Sequence, residues 1–411
     1  MSTENENVRV LFVDDEPNIL EGLRRSLRPL RRAWEMVFVG SGRDALEALG
    51  QRPFDAIVSD MRMPEMDGLQ LLDEVLRRHP HVIRIVLSGY SDWELIMRPV
   101  GVTHQYLTKP CPPHHLCAVI DQALELRALL QEEPSLTPLI GRIETLPARP
   151  ALYLDVAEAL SAPEVTPADI AEVLSSDRAL VSQVLQSVSS PAFGLHQPVT
   201  ELEPAIRLIG LDRIGGLVLW VAVLTKLAER ASACLNVSRL LDHGLLVGEL
   251  AGRLAAAEKT AQETVNDSFT AGLLHDIGEL VLAAELGADY ARVRALARRE
   301  SCELYRVEEL EFGATHAELG AYLLSAWGLS KPIVEAVVFH HEPREASGLH
   351  DGFSPITAVH VANALVQQHF PEQACALPDE PDVGYLSDQG YAVNLANWRE
   401  LAERFFSILP A

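Results

Sequence analysis

The chain is 411 residues long, enough for two or three domains, and sets 34 lysines and arginines against 58 aspartates and glutamates, a formal net charge of −24. That balance argues against a nucleic-acid-binding output, which ordinarily carries a basic face. Residues 1–7 are polar and acidic, unlike a signal peptide, and the most apolar window, Gly215–Leu224, is too short to cross a bilayer. The five cysteines (Cys111, Cys117, Cys234, Cys302 and Cys375) form no C-x-x-C pair. Reduced thiols and a cytoplasmic location are expected, with no nucleic-acid and no membrane partner.

Five short apolar runs are predicted strands: Val8–Val13, Met36–Val39, Ala56–Ser59, Val82–Leu87 and Gln105–Leu107. Between the first two, Ile19, Leu20, Leu23 and Leu27 keep helical spacing. Further helices are predicted over Asp44–Leu49, Leu69–Arg78, Trp93–Val100 and Leu116–Leu130. The alternation implies an α/β unit, a five-stranded parallel doubly wound sheet with helices on both faces. Functional groups in such sheets gather outside the carboxyl ends of the strands, where Asp14, Asp15, Asp60, Ser88 and Lys109 all fall. Three carboxylates with one lysine suit a hard divalent cation and a phosphoryl group, because the cation offsets charge that builds on the transferring group. The densest basic cluster, Arg24, Arg25, Arg28, Arg31 and Arg32, reads as solvated surface.

The segment 131–137 breaks the pattern and reads as a linker between a domain at 1–130 and one at 138–370. From Pro138 onward strand signals fade and the pattern is all-α. Ile170, Val173 and Leu174 share a face, then Leu180, Val184 and Leu185, then Ala205, Ile206, Leu208 and Ile209. Helices are predicted around Leu217–Leu227, Leu245–Ala257, Phe269–Ala284 and Ile356–Gln368. His243, the pair His275-Asp276, His316, and the pair His340-His341 are assigned to four successive helical segments. Imidazoles and a carboxylate that converge from separate helices can build a divalent-metal site inside a bundle. A C-terminal extension, 371–411, holds a Pro-, Asp- and Glu-rich loop from Pro371 to Asp382 and an amphipathic segment from Leu395 to Leu409. That last segment is free to cover the helical domain, touch the first domain or dimerise.

The acidic pair after strand one, Asp60-x-x-Met63-Pro64-x-Met66-Asp67-Gly68, Leu87-Ser88-Gly89-Tyr90 and Lys109-Pro110 together resemble the receiver domain of two-component response regulators, over roughly residues 7–130. The resemblance implies that Asp60 is the phosphoacceptor, phosphorylated by a sensor histidine kinase or a phosphotransfer protein. It implies that Mg²⁺ is held by Asp14, Asp15, Asp60 and the backbone carbonyl of Arg62, and that Lys109 pairs with the phosphoryl oxygens. Ser88 and Tyr106 would be the switch and Pro110 would follow a cis peptide; receivers often form a homodimer through the face bearing Tyr106, but the sequence leaves the oligomeric state open.

Gly272-Leu273-Leu274-His275-Asp276-Ile277-Gly278 resembles the signature of HD metal-dependent phosphohydrolases. His316-Ala317-Glu318-Leu319-Gly320, Trp327-Gly328-Leu329, His340-His341-Glu342-Pro343 and Pro191-Ala192-Phe193-Gly194 are similar, more narrowly, to the HDOD family, over roughly residues 138–345. Arg178 and Ser189-Ser190 depart from its usual residues. HDOD domains have commonly lost catalysis and serve in signalling. Two differences here count against hydrolysis: Glu279 stands where the hydrolases have lysine, and Asn363 where a late aspartate ligand would fall. The expected output is therefore contact with a downstream protein partner, around a hydrogen-bonded, histidine-rich core. The alternatives are a bound transition metal and a receiver-gated phosphohydrolase acting on a cyclic dinucleotide or related phosphoester.

Overall fold

The computed structural model describes residues 8–29, 34–79, 82–88, 105–109, 111, 116–117, 119–120, 124, 136–143, 147, 149–160, 162, 164–194, 197–346, 352–371 and 379–409. The chain forms two compact units whose main break falls between Glu132 and Glu133.

The first unit is a five-stranded parallel sheet. Its strands are β1 (Val8–Val13), β2 (Trp34–Val39), β3 (Ala56–Asp60), β4 (Ile83–Ser88) and β5 (Gln105–Thr108), in the order β2-β1-β3-β4-β5. The central strands read as unbroken apolar runs because both faces are covered. Val10, Phe12, Val58 and Ile85 fill the core on one side, and Leu11, Val13, Ile57 and Val86 the core on the other. The helices α1 (Pro17–Ser26), α2 (Gly42–Gln51) and α3 (Gly68–Arg78) connect the strands. Ser41 caps α2, and Asp67 and Gln70 form a capping box on α3. The expected helix at Trp93–Val100 lies outside the described residues. Of that expected at Leu116–Leu130, the described residues (Leu116, Cys117, Val119, Ile120 and Leu124) are helical.

The second unit is all-α. Its helices are α4 (Leu136–Arg142), α5 (Ala151–Leu160), α6 (Pro167–Leu174), α7 (Arg178–Val188), α8 (Leu202–Ile209), α9 (Leu211–Ala231), α10 (Val237–Ala257) and α11 (Gln262–Leu274). They continue with α12 (Ile277–Leu286), α13 (Ala288–Glu300), α14 (Leu304–Phe312), α15 (His316–Ala326), α16 (Lys331–Val338), α17 (Pro355–His369), α18 (Val383–Asp388) and α19 (Leu395–Ser407). The apolar window around Trp220 is buried inside α9. No single described helix is long and apolar enough to cross a membrane.

Three expectations need correction here. The segment Phe269–Ala284 is not one helix: α11 ends at Leu274, and Asp276 leaves helical geometry at φ −97, ψ 16 before α12 begins. The histidine-bearing segments are not successive, because α13 and α14 lie between His275 and His316. Leu208 is 47% exposed rather than part of the buried face of α8.

The main packing contact is α10 on α11, and glycine makes it possible. A Cβ on Gly248 would stand 2.8 Å from the Phe269 carbonyl oxygen, and one on Gly272 would stand 2.8 Å from the Gly248 Cα. The C-terminal helix covers this same unit. Trp398 Nε1 and Asn394 Nδ2 both donate to Glu258, each at 2.8 Å, and the Arg253 guanidinium lies 4.9 Å from the Phe405 ring centre. Gly248→Ala should therefore force α10 and α11 apart. We expect a loss of about 1–3 kcal/mol in urea unfolding of the helical unit, the usual cost of overpacking.

Candidate functional site

At the carboxyl edge of the sheet, β1 delivers Asp14 and β3 ends on Asp60. Lys109 follows β5 and its Nζ donates to Asp14 Oδ2 at 2.8 Å and to Asp60 Oδ1. Burial works against the lysine's charge, but the bonds and charges of Asp14 and Asp60 raise its pKa above the usual value. Asp14 is buried, Asp15 beside it is exposed, and the Arg62 backbone N–H donates to Asp60 Oδ2 at 2.8 Å.

The rest of the acidic motif serves placement. Met61 and Met63 are anchored in the core, and Glu65 turns the loop at φ 66. A Cβ at Gly68 would sit 2.2 Å from the Asp60 carbonyl oxygen, so only glycine lets α3 start against the end of β3. Tyr106 lies in β5 opposite Val86, and Ser88 pairs with Thr108. The side chains of Ser88 and Tyr106, and all of Pro110, lie outside the described residues.

In the helical unit the break between α11 and α12 turns Asp276 inward, and histidines from four places face it. The Asp276 carboxylate lies 3.2 Å from His275 Nε2, 3.5 Å from His316 Nε2, 3.6 Å from His243 Nε2 and 3.8 Å from His340 Nε2. His341 Nε2 meets His316 Nε2 at 3.1 Å. Gly278 keeps the α12 and α15 backbones in contact, since a Cβ there would overlap the His316 carbonyl oxygen at 1.9 Å.

Four rings have an acceptor on the outer nitrogen. His275 Nδ1 meets the Gly272 carbonyl and His340 Nδ1 the Val337 carbonyl, both at 2.7 Å. His316 Nδ1 meets Glu308 at 2.6 Å and His341 Nδ1 meets Asp379 at 3.0 Å. With Nδ1 donating, a ring that is neutral presents its Nε2 lone pair to the centre, the arrangement metal-ligating histidines use; His316, which favours the imidazolium, presents one once a cation displaces its second proton. Among the described residues, the fully buried Nε2 atoms of His275 and His340 make no well-formed hydrogen bond, although His275 Nε2 lies 3.2 Å from the Asp276 carboxylate. The expected hydrogen-bonded core is thus corrected at two atoms.

Two pairs of the donor set are already spaced for a shared cation, while the other Asp276–histidine distances, 3.5–3.8 Å, are slightly wider. Ligands about 2.1 Å from one ion lie about 3.0–3.4 Å apart in octahedral or tetrahedral geometry. The pairs His316–His341 and His275–Asp276 fall at 3.1 and 3.2 Å. The cluster divides into His316, His340 and His341, and His243, His275 and Asp276, with Asp276, Glu279 and His316 also close together.

Electrostatics favour positive charge here. Burial opposes the charge on Asp276, but His275 and His316 hold its carboxyl well below the usual range. Burial likewise opposes the His316 imidazolium, yet Glu308 and Asp276 push it well above an ordinary histidine. Burial, with His341 and His275 nearby, keeps His340 neutral. Burial raises Glu279 despite its ion pair with Arg294. Glu279 is thus tied to Arg294 rather than free to meet a ligand.

Sequence reasoning missed Glu308 and Asp379, the two carboxylates that meet the outer nitrogens of His316 and His341. Glu308 is fully buried and also accepts the Tyr290 hydroxyl at 2.6 Å and the His316 N–H at 2.8 Å. Its only sequence signal is a carboxylate at a core position of α14. Asp379 carries no signal, lying in an aperiodic acidic loop. Asn363, flagged as a neutral substitute, accepts from Gln367 Nε2 and lies 3.0 Å from His243 Nε2.

Comparison with known proteins agrees with both units. Residues 10–121 match the profile of the response regulator receiver domain, and residues 146–343 that of the HDOD domain. An uncharacterized protein of Treponema pallidum is 27% identical over 205 residues, covering 49% of this chain and 39% of its own. The hydrogenase transcriptional regulatory protein HoxA of Cupriavidus necator is 38% identical over 122 residues, 29% of this chain and 25% of its own. The chain thus spans well under half of either relative. A crystal structure of an HDOD domain protein from Geobacter sulfurreducens superposes with TM-score 0.50 at 21% identity, over 67% of this chain and 99% of that one. It shares the fold.

The Glu308 geometry yields a stability test. Burial raises a carboxyl pKa, but His316 and Tyr290 outweigh it and hold Glu308 below its ordinary value of 4.5. A depressed carboxylate contributes stability that is present above its unfolded pKa and lost as pH falls through the folded one. In metal-free protein Glu308→Gln should cost about 3 kcal/mol near neutral pH. The gap from wild type, measured by urea denaturation, should shrink as pH drops below 4.5.

Proposed function

From the premise that this chain joins an N-terminal response regulator receiver domain to a C-terminal HDOD domain, we propose that it is a signalling protein whose input is phosphorylation of Asp60 and whose output is protein contact by the helical domain. The observation that carries the reading is Lys109 bridging Asp14 and Asp60 at the carboxyl edge of a parallel sheet. A carboxylate oxygen of Asp60 would attack the phosphorus of a phosphohistidine on a sensor kinase or phosphotransfer protein. The P–N bond breaks, its electron pair returns to the imidazole, and an acyl phosphate forms. Asp14, Asp15, Asp60 and the Arg62 carbonyl supply the oxygen set for Mg²⁺, which when bound neutralises the phosphoryl oxygens. Lys109, already lodged between the two carboxylates, would move its ammonium onto the new phosphoryl group. With an acyl-phosphate donor and Mg²⁺, wild type should gain one phosphoryl group by mass and Asp60→Asn none; equal labelling of both would reject the reading.

For the helical domain we propose a binding rather than a catalytic role. Its support is Asn363, a neutral amide engaged with His243, and Glu279, engaged with Arg294. A phosphohydrolase is the second reading, favoured by the Nε2 atoms of His275 and His340, which among the described residues face Asp276 without a well-formed hydrogen bond. A metal held by His275, Asp276, His316, His340 and His341 would supply Lewis-acid activation of water. Metal analysis of the full chain separates the two. Bound Fe, Mn or Zn and cyclic-dinucleotide hydrolysis, both abolished by His275→Ala, would establish the hydrolase. Metal without hydrolysis supports the binding role.

A further inference from the structure

We propose that Asp379 is the positioning residue of the histidine centre, one carboxylate oxygen fixing His341 as a ligand and His243 as a non-ligand. The inference rests on the metal-centre reading of the cluster. Asp379 Oδ2 lies 3.0 Å from His341 Nδ1 and accepts the Asn363 Nδ2 hydrogen at 3.0 Å. A carboxylate oxygen offers no proton to share, so both neighbours must donate to it.

The consequences for the two histidines are opposite. His341 spends its N–H on Asp379, which leaves the Nε2 lone pair facing His316 Nε2 and the centre. Asn363 spends its amino group on Asp379, and its Oδ1 also accepts from Gln367. Both bonds place Oδ1, not the amino group, 3.0 Å from His243 Nε2. Only a protonated Nε2 satisfies that oxygen, so His243 donates there and has no inward lone pair. The ligand set contracts to His275, Asp276, His316, His340 and His341.

Asp379 belongs to the segment beyond the HDOD match, and this segment is pinned by bonds of its own. The Asp382 N–H donates to His360 Nε2 at 2.8 Å, and His360 Nδ1 bonds the His340 carbonyl at 2.7 Å. Arg344 grips the Asp382 carboxylate at 2.6 and 2.7 Å. Removing the Asp379 carboxylate therefore leaves the segment docked. What changes is the aim of His341.

The experiment uses the full chain. Zn²⁺ and Mn²⁺ affinities are measured by chelator competition for wild type, Asp379→Ala, Asp379→Asn, His341→Ala and the double variant Asp379→Ala/His341→Ala. Asp379→Ala should weaken metal binding about 10–100-fold, the usual effect of losing an outer-shell partner. The double variant should bind no worse than His341→Ala, because Asp379 acts through His341. Equal affinity of Asp379→Ala and wild type, or additive losses, would overturn the proposal. In parallel, long-range ¹H–¹⁵N spectra of metal-free protein with labelled histidine report the tautomers. Wild type should show Nδ1–H at His341 and Nε2–H at His243, with both disturbed in Asp379→Ala and less so in Asp379→Asn. Unchanged tautomers would refute the positioning role whether or not metal binds. Changed tautomers in a protein that binds no metal would uphold it and reject only the metal centre.

Discussion

The carboxylate of Asp276 is the constraint on which the helical domain is organised. An ionised carboxylate removed from water costs several kcal/mol unless positive charge and hydrogen bonds surround it. Here imidazoles from α10, the α11–α12 break, the start of α15 and the turn after α16 face it. No single helix could bring that many rings to one point, since ring-bearing positions on one face recur only once per turn. The broken helix and the glycine contact between α10 and α11 follow from this requirement. The break turns Asp276 off the helix axis, and the glycines bring the backbones close enough for rings from separate helices to reach it.

The receiver meets the same problem differently. Asp14 and Asp60 are held together by one flexible ammonium, Lys109, on a four-carbon stem. Its compact charge can leave one carboxylate for a new anion without disturbing the fold. Four imidazoles of the histidine centre, His275, His340, His316 and His341, are instead tethered by their outer ring nitrogens to Gly272, Val337, Glu308 and Asp379. One acidic site is bridged by a single flexible side chain, and the other is faced by rings anchored at their outer nitrogens.

Legibility in the sequence followed chain distance. The parallel sheet was readable because β1 and β3 are buried on both faces and stand out as apolar runs. Asp14, Asp60 and Lys109 were readable because strand ends in such sheets converge by topology. The histidines could be named but not assembled: periodicity says which residues share a face of one helix, not which faces meet across 120 residues, as His243 and Asn363 do. The α11–α12 break was hidden because its flanks, Leu273-Leu274 and Ile277, continue the apolar pattern. Asp379 was invisible, since a carboxylate in an acidic loop looks like any solvated charge.

The departure at Asn363 acquires a different meaning in this geometry. Read in sequence, it is a lost carboxylate and weakens the case for a metal. In space a carboxylate stands 3.0 Å from its amide nitrogen, delivered by the C-terminal segment. The charge has moved outward by one residue, from a position facing the centre to one behind His341. A carboxylate facing the centre would join Asp276 and attract a second cation. Behind the ring, it makes His341 a better donor for one. Glu308 stands behind His316 in the same way, so the two rings that meet at 3.1 Å are both backed by negative charge, buried at Glu308 and half-buried at Asp379. That pairing favours a positive charge between or upon these rings, whether a proton or a metal ion supplies it.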